Sequence, residues 1–78
     1  YEHVALWPNP AKDKLFIDAS FAGNSFQVVD VIGKVWVSGV LGEEAVVDVS
    51  GLPLGTYIVV LQDGLKVRTA KVLVGDEL

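Results

Sequence analysis

Residues able to do covalent chemistry are few in this chain, and their spacing does not favour catalysis. A nucleophile needs a base held beside it. The sequence offers one histidine, His3, and no cysteine. A Ser-His-Asp set would have to use His3, and the sharp turn that presents such a serine is missing. Glu43 and Glu44 are adjacent acids, but glycoside cleavage needs two carboxyl groups facing one cleft. Neighbours in a turn point apart, so they read as solvated charge. Asp30, Asp48 and Asp63 have the oxygen chemistry for calcium. No D-x-D-x-D-G spacing joins them, and each stands where it can cap a turn. The eight glycines are dispersed among turns and build no phosphate cradle. Trp7 and Trp36 could form an aromatic carbohydrate platform. The plainer expectation puts Trp36 over the outer face of a small sheet and Trp7 over its end. We expect no enzyme, no cofactor and no metal.

Short strands are the elements that must position these residues. Val47–Gln62, VDVSGLPLGTYIVVLQ, organises the rest: a short strand, a turn on Gly51, Pro53 and Gly55, and an apolar strand Thr56–Leu61. Tyr57, Ile58, Val59, Val60 and Leu61 favour a pleated, buried environment. Bounded by Gly55 and Gly64, the run predicts a central strand covered on both faces. Upstream, Tyr1–Leu6 alternates weakly, as an edge strand would. Trp7-Pro8-Asn9-Pro10 is rigid, because each proline fixes its own φ and keeps the preceding residue out of the α region.

Lys14–Ser20 predicts a half-buried strand with Leu15, Ile17 and Ala19 on one face. Phe21–Asn24 is a turn on Gly23 and Asn24. Ser25–Val31 and Lys34–Val40 form a hairpin. There Gly33 supplies the unusual backbone angle and the Asp30 carboxylate accepts an N–H across the turn. Gly42-Glu43-Glu44 turns into Ala45–Val49, with Ala45, Val47 and Val49 on one face. Asp63-Gly64 predicts a two-residue hairpin into Leu65–Val74. In that last strand Ala70, Val72 and Val74 share a face with Lys66 and Arg68. Either a bulge resets the phase or the strand starts beyond the edge of the core. Six or seven strands, turns roughly every 8–12 residues and no helical period predict an antiparallel β-sandwich, with a small closed barrel as the alternative.

Seventy-eight residues without an internal repeat make one domain, spanning 1–78 with its core at about residues 4–74. A domain this small buries only about 60% of its unfolded surface, so its stability margin is thin. The net charge of −4 argues against nucleic acid, whose phosphates need a basic surface. Three of the six basic residues, Lys66, Arg68 and Lys71, nevertheless fall together near the C-terminus. No apolar run approaches the roughly 18 residues of a membrane span. Tyr1–Pro10 lacks the basic start and apolar run of a signal peptide. The expectation is therefore a cytosolic protein or a piece of a longer exported chain. The final Asp-Glu-Leu has Gly75 where an ER retrieval signal needs Lys or His.

Four segments then stand out together. They are Trp7-Pro8-Asn9-Pro10-Ala11-Lys12-Asp13-Lys14-Leu15, Val28-Val29-Asp30-Val31-Ile32-Gly33-Lys34-Val35, Val47–Tyr57 and Thr69-Ala70-Lys71-Val72-Leu73-Val74. In order and spacing they resemble the type A C-terminal sorting domain of type IX secretion cargo in Bacteroidetes. The resemblance runs from Leu6 to Val74. It implies an Ig-like sandwich at the C-terminus of a secreted enzyme or adhesin. Such a domain carries an N-terminal cargo through the periplasm and an outer-membrane translocon to the cell surface or medium. A sortase-like peptidase commonly removes it afterwards and attaches some cargo to lipopolysaccharide.

By position, Pro8, Asn9 and Pro10 match the first family motif, and Asp30 and Gly33 the second. Gly55 and Tyr57 match the third, and Lys71, Val72 and Val74 the last. Two departures exist: Trp7 stands where Tyr or Phe is usual, and Gly75–Leu78 is acidic where a basic end is usual. The strand Lys66–Val74, with Lys66, Arg68 and Lys71, is expected either to carry recognition as well as structure or simply to guard an edge against aggregation. The rival reading is an accessory sandwich, a spacer or carbohydrate-binding module of a secreted enzyme or adhesin.

Overall fold

A computed structural model describes residues 4–75. Tyr1–His3 and Asp76–Leu78, and with them His3 and the acidic tail, lie outside the described residues. Two antiparallel sheets form. One has the order β1 (Leu6–Trp7), β2 (Lys14–Ile17), β5 (Val46–Asp48). The other has the order β4 (Val35–Val40), β3 (Ser25–Asp30), β6 (Gly55–Asp63), β7 (Lys66–Val74). Among the described residues no named strand of one sheet pairs with a strand of the other, so the seven strands make an Ig-like sandwich rather than a barrel.

Period-2 alternation builds the core. Leu15 and Ile17 of β2, with Ala45, Val47 and Val49 around β5, face Val28, Tyr57, Val59, Leu61, Val72 and Val74 of the larger sheet. Apart from the Tyr57 hydroxyl, the buried side chains among the described residues are apolar.

Several local expectations change. β6 is central, between β3 and β7, but it is not covered on both faces. Tyr57, Val59 and Leu61 are buried, while Thr56, Ile58 and Val60 are half-buried. A two-layer sandwich covers only one face of each sheet, which the continuous apolar run did not reveal. The strand expected over Lys14–Ser20 stops at Ile17. The Asp18 carboxylate accepts the Ser20 N–H at 2.9 Å and caps a 3₁₀ turn, Ala19–Phe21. That turn leaves Ala19 exposed and drives Phe21, expected in a loop, into the core. Ala45 is buried as expected, but its φ of 50° keeps it out of β5.

The last hairpin turns on Gly64-Leu65, one residue later than expected, since Asp63 pairs with Lys66. The β6–β7 register then runs unbroken to Gly55↔Val74. Of the two explanations for the mixed face of β7, the strand start beyond the core edge is the one observed. Arg68 lies on that face with its guanidinium 5.7 Å from the Phe21 ring centroid. Trp7 does not cover the sandwich end. It belongs to β1, pairs across strands with Phe16 and stacks on it, at 6.2 Å between centroids and 17° between planes.

Candidate functional site

Four segments far apart in sequence meet across one end of the larger sheet. The first is the Asn9–Ala11 loop. Its prolines donate no N–H and fix their own φ, leaving Asn9 and Ala11 as the polar backbone and side-chain partners of the turn. Both Trp7–Pro8 and Asn9–Pro10 peptide bonds are cis. The Asn9 Oδ1 accepts the Leu73 N–H at 2.9 Å. Ala11 donates its N–H to the Leu73 carbonyl at 2.8 Å, and the Ala11 carbonyl accepts the Gly75 N–H at 2.8 Å. A short parallel bridge, Ala11↔Val74, results. Val74 in turn pairs with Gly55, Val72 with Tyr57, and Tyr57 with Asp30. Residues of all four family-like segments thus form one continuous strip.

Tyr57 anchors the strip. Its ring is 3% exposed, and its hydroxyl donates to the Pro53 carbonyl at 2.6 Å. A tyrosine at the start of a sandwich strand, bonded back to the preceding connection, fixes how that strand enters the sheet. Burial, and then the negative charge of Asp30, pushes the phenol above its ordinary range. Gly55, two residues earlier, has φ of 156°, which L residues rarely adopt.

Asp30 closes the β3–β4 hairpin with every oxygen occupied. Oδ1 accepts the Ile32 N–H at 3.0 Å and the Lys34 N–H at 2.9 Å. Oδ2 accepts the Trp36 indole N–H at 2.9 Å. Gly33, at φ of 92°, lets the chain turn between these donors. The Trp36 hydrogen bond, followed by those of the turn backbone, holds the Asp30 carboxyl below the usual range despite some desolvation. A bulge makes the indole contact. Val28 pairs with Val37 and Val29 with Val35, so Trp36 is left as an extra residue and re-aimed. Lys34 Nζ then sits 4.0 Å from the Trp36 ring centroid. Trp36 is therefore part of the hairpin lock. It also lies in the sheet opposite Trp7, so the two tryptophans form no shared platform.

The other acids behave as turn and surface groups. Asp48 accepts the Ser50 hydroxyl at 2.7 Å and its N–H at 2.9 Å, and lies 3.9 Å from Lys14 Nζ. These hydrogen bonds, hydroxyl first, lower its pKa. Glu43 and Glu44 are exposed in their turn. Among the described residues, no three His, Cys, Asp or Glu side chains are grouped as metal ligands would be. With three donors on its two oxygens, Asp30 serves as a joint of the hairpin.

The basic residues of β7 do not share one surface. Lys66 and Arg68 belong to the set that faces the sandwich, while Lys71 faces outward with Ile58. The sequence reading overlooked Trp36 as a partner of Asp30, and Ala11 and Pro53 as acceptors and donors at the strip. Nothing in the spacing of Trp36 and Ala11 signals their roles, because a bulge and a long-range bridge create them; Pro53 lies only four residues before Tyr57, within reach of a local bond.

The family model described as "Secretion system C-terminal sorting domain" matches residues 5–75. No curated protein matches the chain.

Proposed function

The chain belongs to the family of type IX secretion C-terminal sorting domains, and we propose that it carries an attached cargo across the outer membrane. The sorting role is the family's; the route and the machinery are our reading. In that reading residues 1–78 are one non-catalytic domain of a longer secreted protein, with the cargo on its N-terminal side. It passes through the periplasm, engages the translocon and is then removed by a sortase-like peptidase, leaving the cargo at the surface or outside. The observation that carries the reading is the family match over nearly the whole chain, together with the meeting of its four motifs in one strip. Pro8, Asn9, Pro10, Asp30, Gly33, Gly55, Tyr57, Val72 and Val74 act there as structure. Lys66, Arg68 and Lys71 on β7 are the proposed recognition residues.

The test fuses residues 1–78 behind a signal peptide and a fluorescent cargo in a bacterium with type IX machinery. Export of the cargo is expected. Retention of the intact, folded fusion in the periplasm would return the chain to the accessory-sandwich class. Deleting Lys71–Leu78 is a poor control, since it strips the buried Val72 and Val74 from the core. Substitutions on the exposed edge serve better.

A second reading has one observation in its favour. Trp7 and Phe16 stack in the open, 50% and 38% exposed, on the outer face of the smaller sheet. Aromatic surfaces of this kind suit sugar rings. Retention of the domain on insoluble polysaccharide, lost in Trp7→Ala, would favour a carbohydrate-binding module.

A further inference from the structure

β7 is an edge strand, and among the described residues only its C-terminal end is covered. Alternate residues of an antiparallel strand bond to the neighbour, and those between turn their N–H and C=O to the open side. Leu73 turns both groups to the open side, where Asn9 and Ala11 meet them. Lys71, Thr69 and Val67 share its parity in the unbroken β6–β7 register. Their backbone groups face the same edge, and no described residue bonds them. The chain has thus added a backbone segment of its own to one end of this edge, and among the described residues nothing bonds the next three positions.

Beside the open stretch runs a groove of about 540 Å³ lined by Val4, Leu6, Asn9, Ile58, Thr69 and Lys71, among others. Its lining mixes apolar and neutral polar residues, and Lys71 is its one charged residue among those described. Val67, further along the edge, is 57% exposed.

We propose that this edge, Val67–Lys71, receives an extended peptide strand from the secretion machinery by strand addition. The segment would carry an acidic side chain beside Lys71 and an apolar one beside Val67. The proposal rests on the sorting reading above and names how that site is engaged. Backbone hydrogen bonds at Val67, Thr69 and Lys71 would supply affinity, and the Lys71 and Val67 neighbours would supply selectivity. Charge decides between occupants. A second copy would bring two lysine-bearing edges together, whereas an acidic segment is attracted to Lys71.

Thr69→Pro tests the mechanism directly. Proline removes an N–H that points away from β6, and its ring blocks an incoming strand, while the β6–β7 ladder stays whole. The variant is placed in the cargo fusion beside wild type and Thr69→Val, with melting curves of the isolated domains as a fold check. Wild type and Thr69→Val should export the cargo. Folded Thr69→Pro should lose export by about tenfold or more, as forfeiting one or two interchain hydrogen bonds requires. If proline unfolds the domain, Lys71→Glu decides instead, because an exposed lysine can be reversed without touching the core; it should lose export similarly. Wild-type export by folded Thr69→Pro, or by Lys71→Glu in its place, would overturn the proposal. A concentration-dependent dimer abolished by Thr69→Pro would overturn it in favour of self-pairing. Retention of the wild-type fusion would instead sink the sorting reading, and this inference with it.

Discussion

Asn9 and Leu73, 64 residues apart, are joined at 2.9 Å by the Asn9 side-chain oxygen accepting the Leu73 N–H. That contact places the first family-like segment against the last, and makes a proline-bounded loop the cover of an edge strand. Uncovered edges invite pairing with other chains, so where the cover stops is as informative as where it lies.

Asn9→Ala should therefore destabilise the domain by about 0.5–1.5 kcal/mol, towards the lower figure because water can reach the half-exposed Leu73. Urea unfolding measures the loss, and amide exchange should quicken at Leu73 more than at Val59. Equal protection of the Leu73 amide in both proteins would show that Ala11 alone holds the edge.

Tyr57 separates two contributions. Tyr57→Phe keeps the ring and removes the bond to Pro53, for an expected loss of about 1 kcal/mol. Tyr57→Ala also empties part of the core, for about 3–5 kcal/mol, which a domain of this size can hardly absorb. Chemical denaturation of the two variants should rank them in that order. Similar values would mean that the hydroxyl contact, not packing, fixes the start of β6.

Gly33 and Gly55 test the backbone alone, since a Cβ at either position would meet no atom within 4 Å. Gly33→Ala and Gly55→Val should each cost about 1–3 kcal/mol through the positive φ, without any clash. Thermal melts provide the check. Melting temperatures equal to wild type would show that these turns relax to negative φ at no penalty.

Acid should weaken the fold through its turn-capping carboxylates. The Ser20 N–H lowers the pKa of Asp18, the Trp36 indole that of Asp30 and the Ser50 hydroxyl that of Asp48. A carboxyl depressed in the folded state contributes stability above its unfolded pKa of about 4 and loses it as pH falls through the folded value. Melting temperature should thus drop below about pH 4. Asn at position 30 cannot accept from Trp36 and the turn amides together, so Asp30→Asn should melt lower at pH 7. It should also show a shallower acid limb, because one titrating group is gone. An acid limb as steep as that of wild type would remove Asp30 from this set.

The sequence by itself determined the all-β class, the succession of strands along the chain and most of the turns. Apolar residues at every second position and glycines between the runs leave a chain of this length little else to build. Gly33 and Asp30 were legible for the same reason, since a hairpin turn needs a positive φ and a carboxylate two to four residues behind its amides. Gly55 and Tyr57 were legible as a strand entry. Tertiary structure decided what no local pattern encodes. The β3–β4 bulge delivered Trp36 to Asp30, and the 3₁₀ turn after Asp18 sent Phe21 rather than Ala19 into the core. The stacking of two layers left one face of β6 half open. Above all, the parallel bridge from Ala11 to Val74 covered one end of the β7 edge and left Val67, Thr69 and Lys71 facing outward. A backbone N–H looks the same at every residue of a strand until its neighbours are in place.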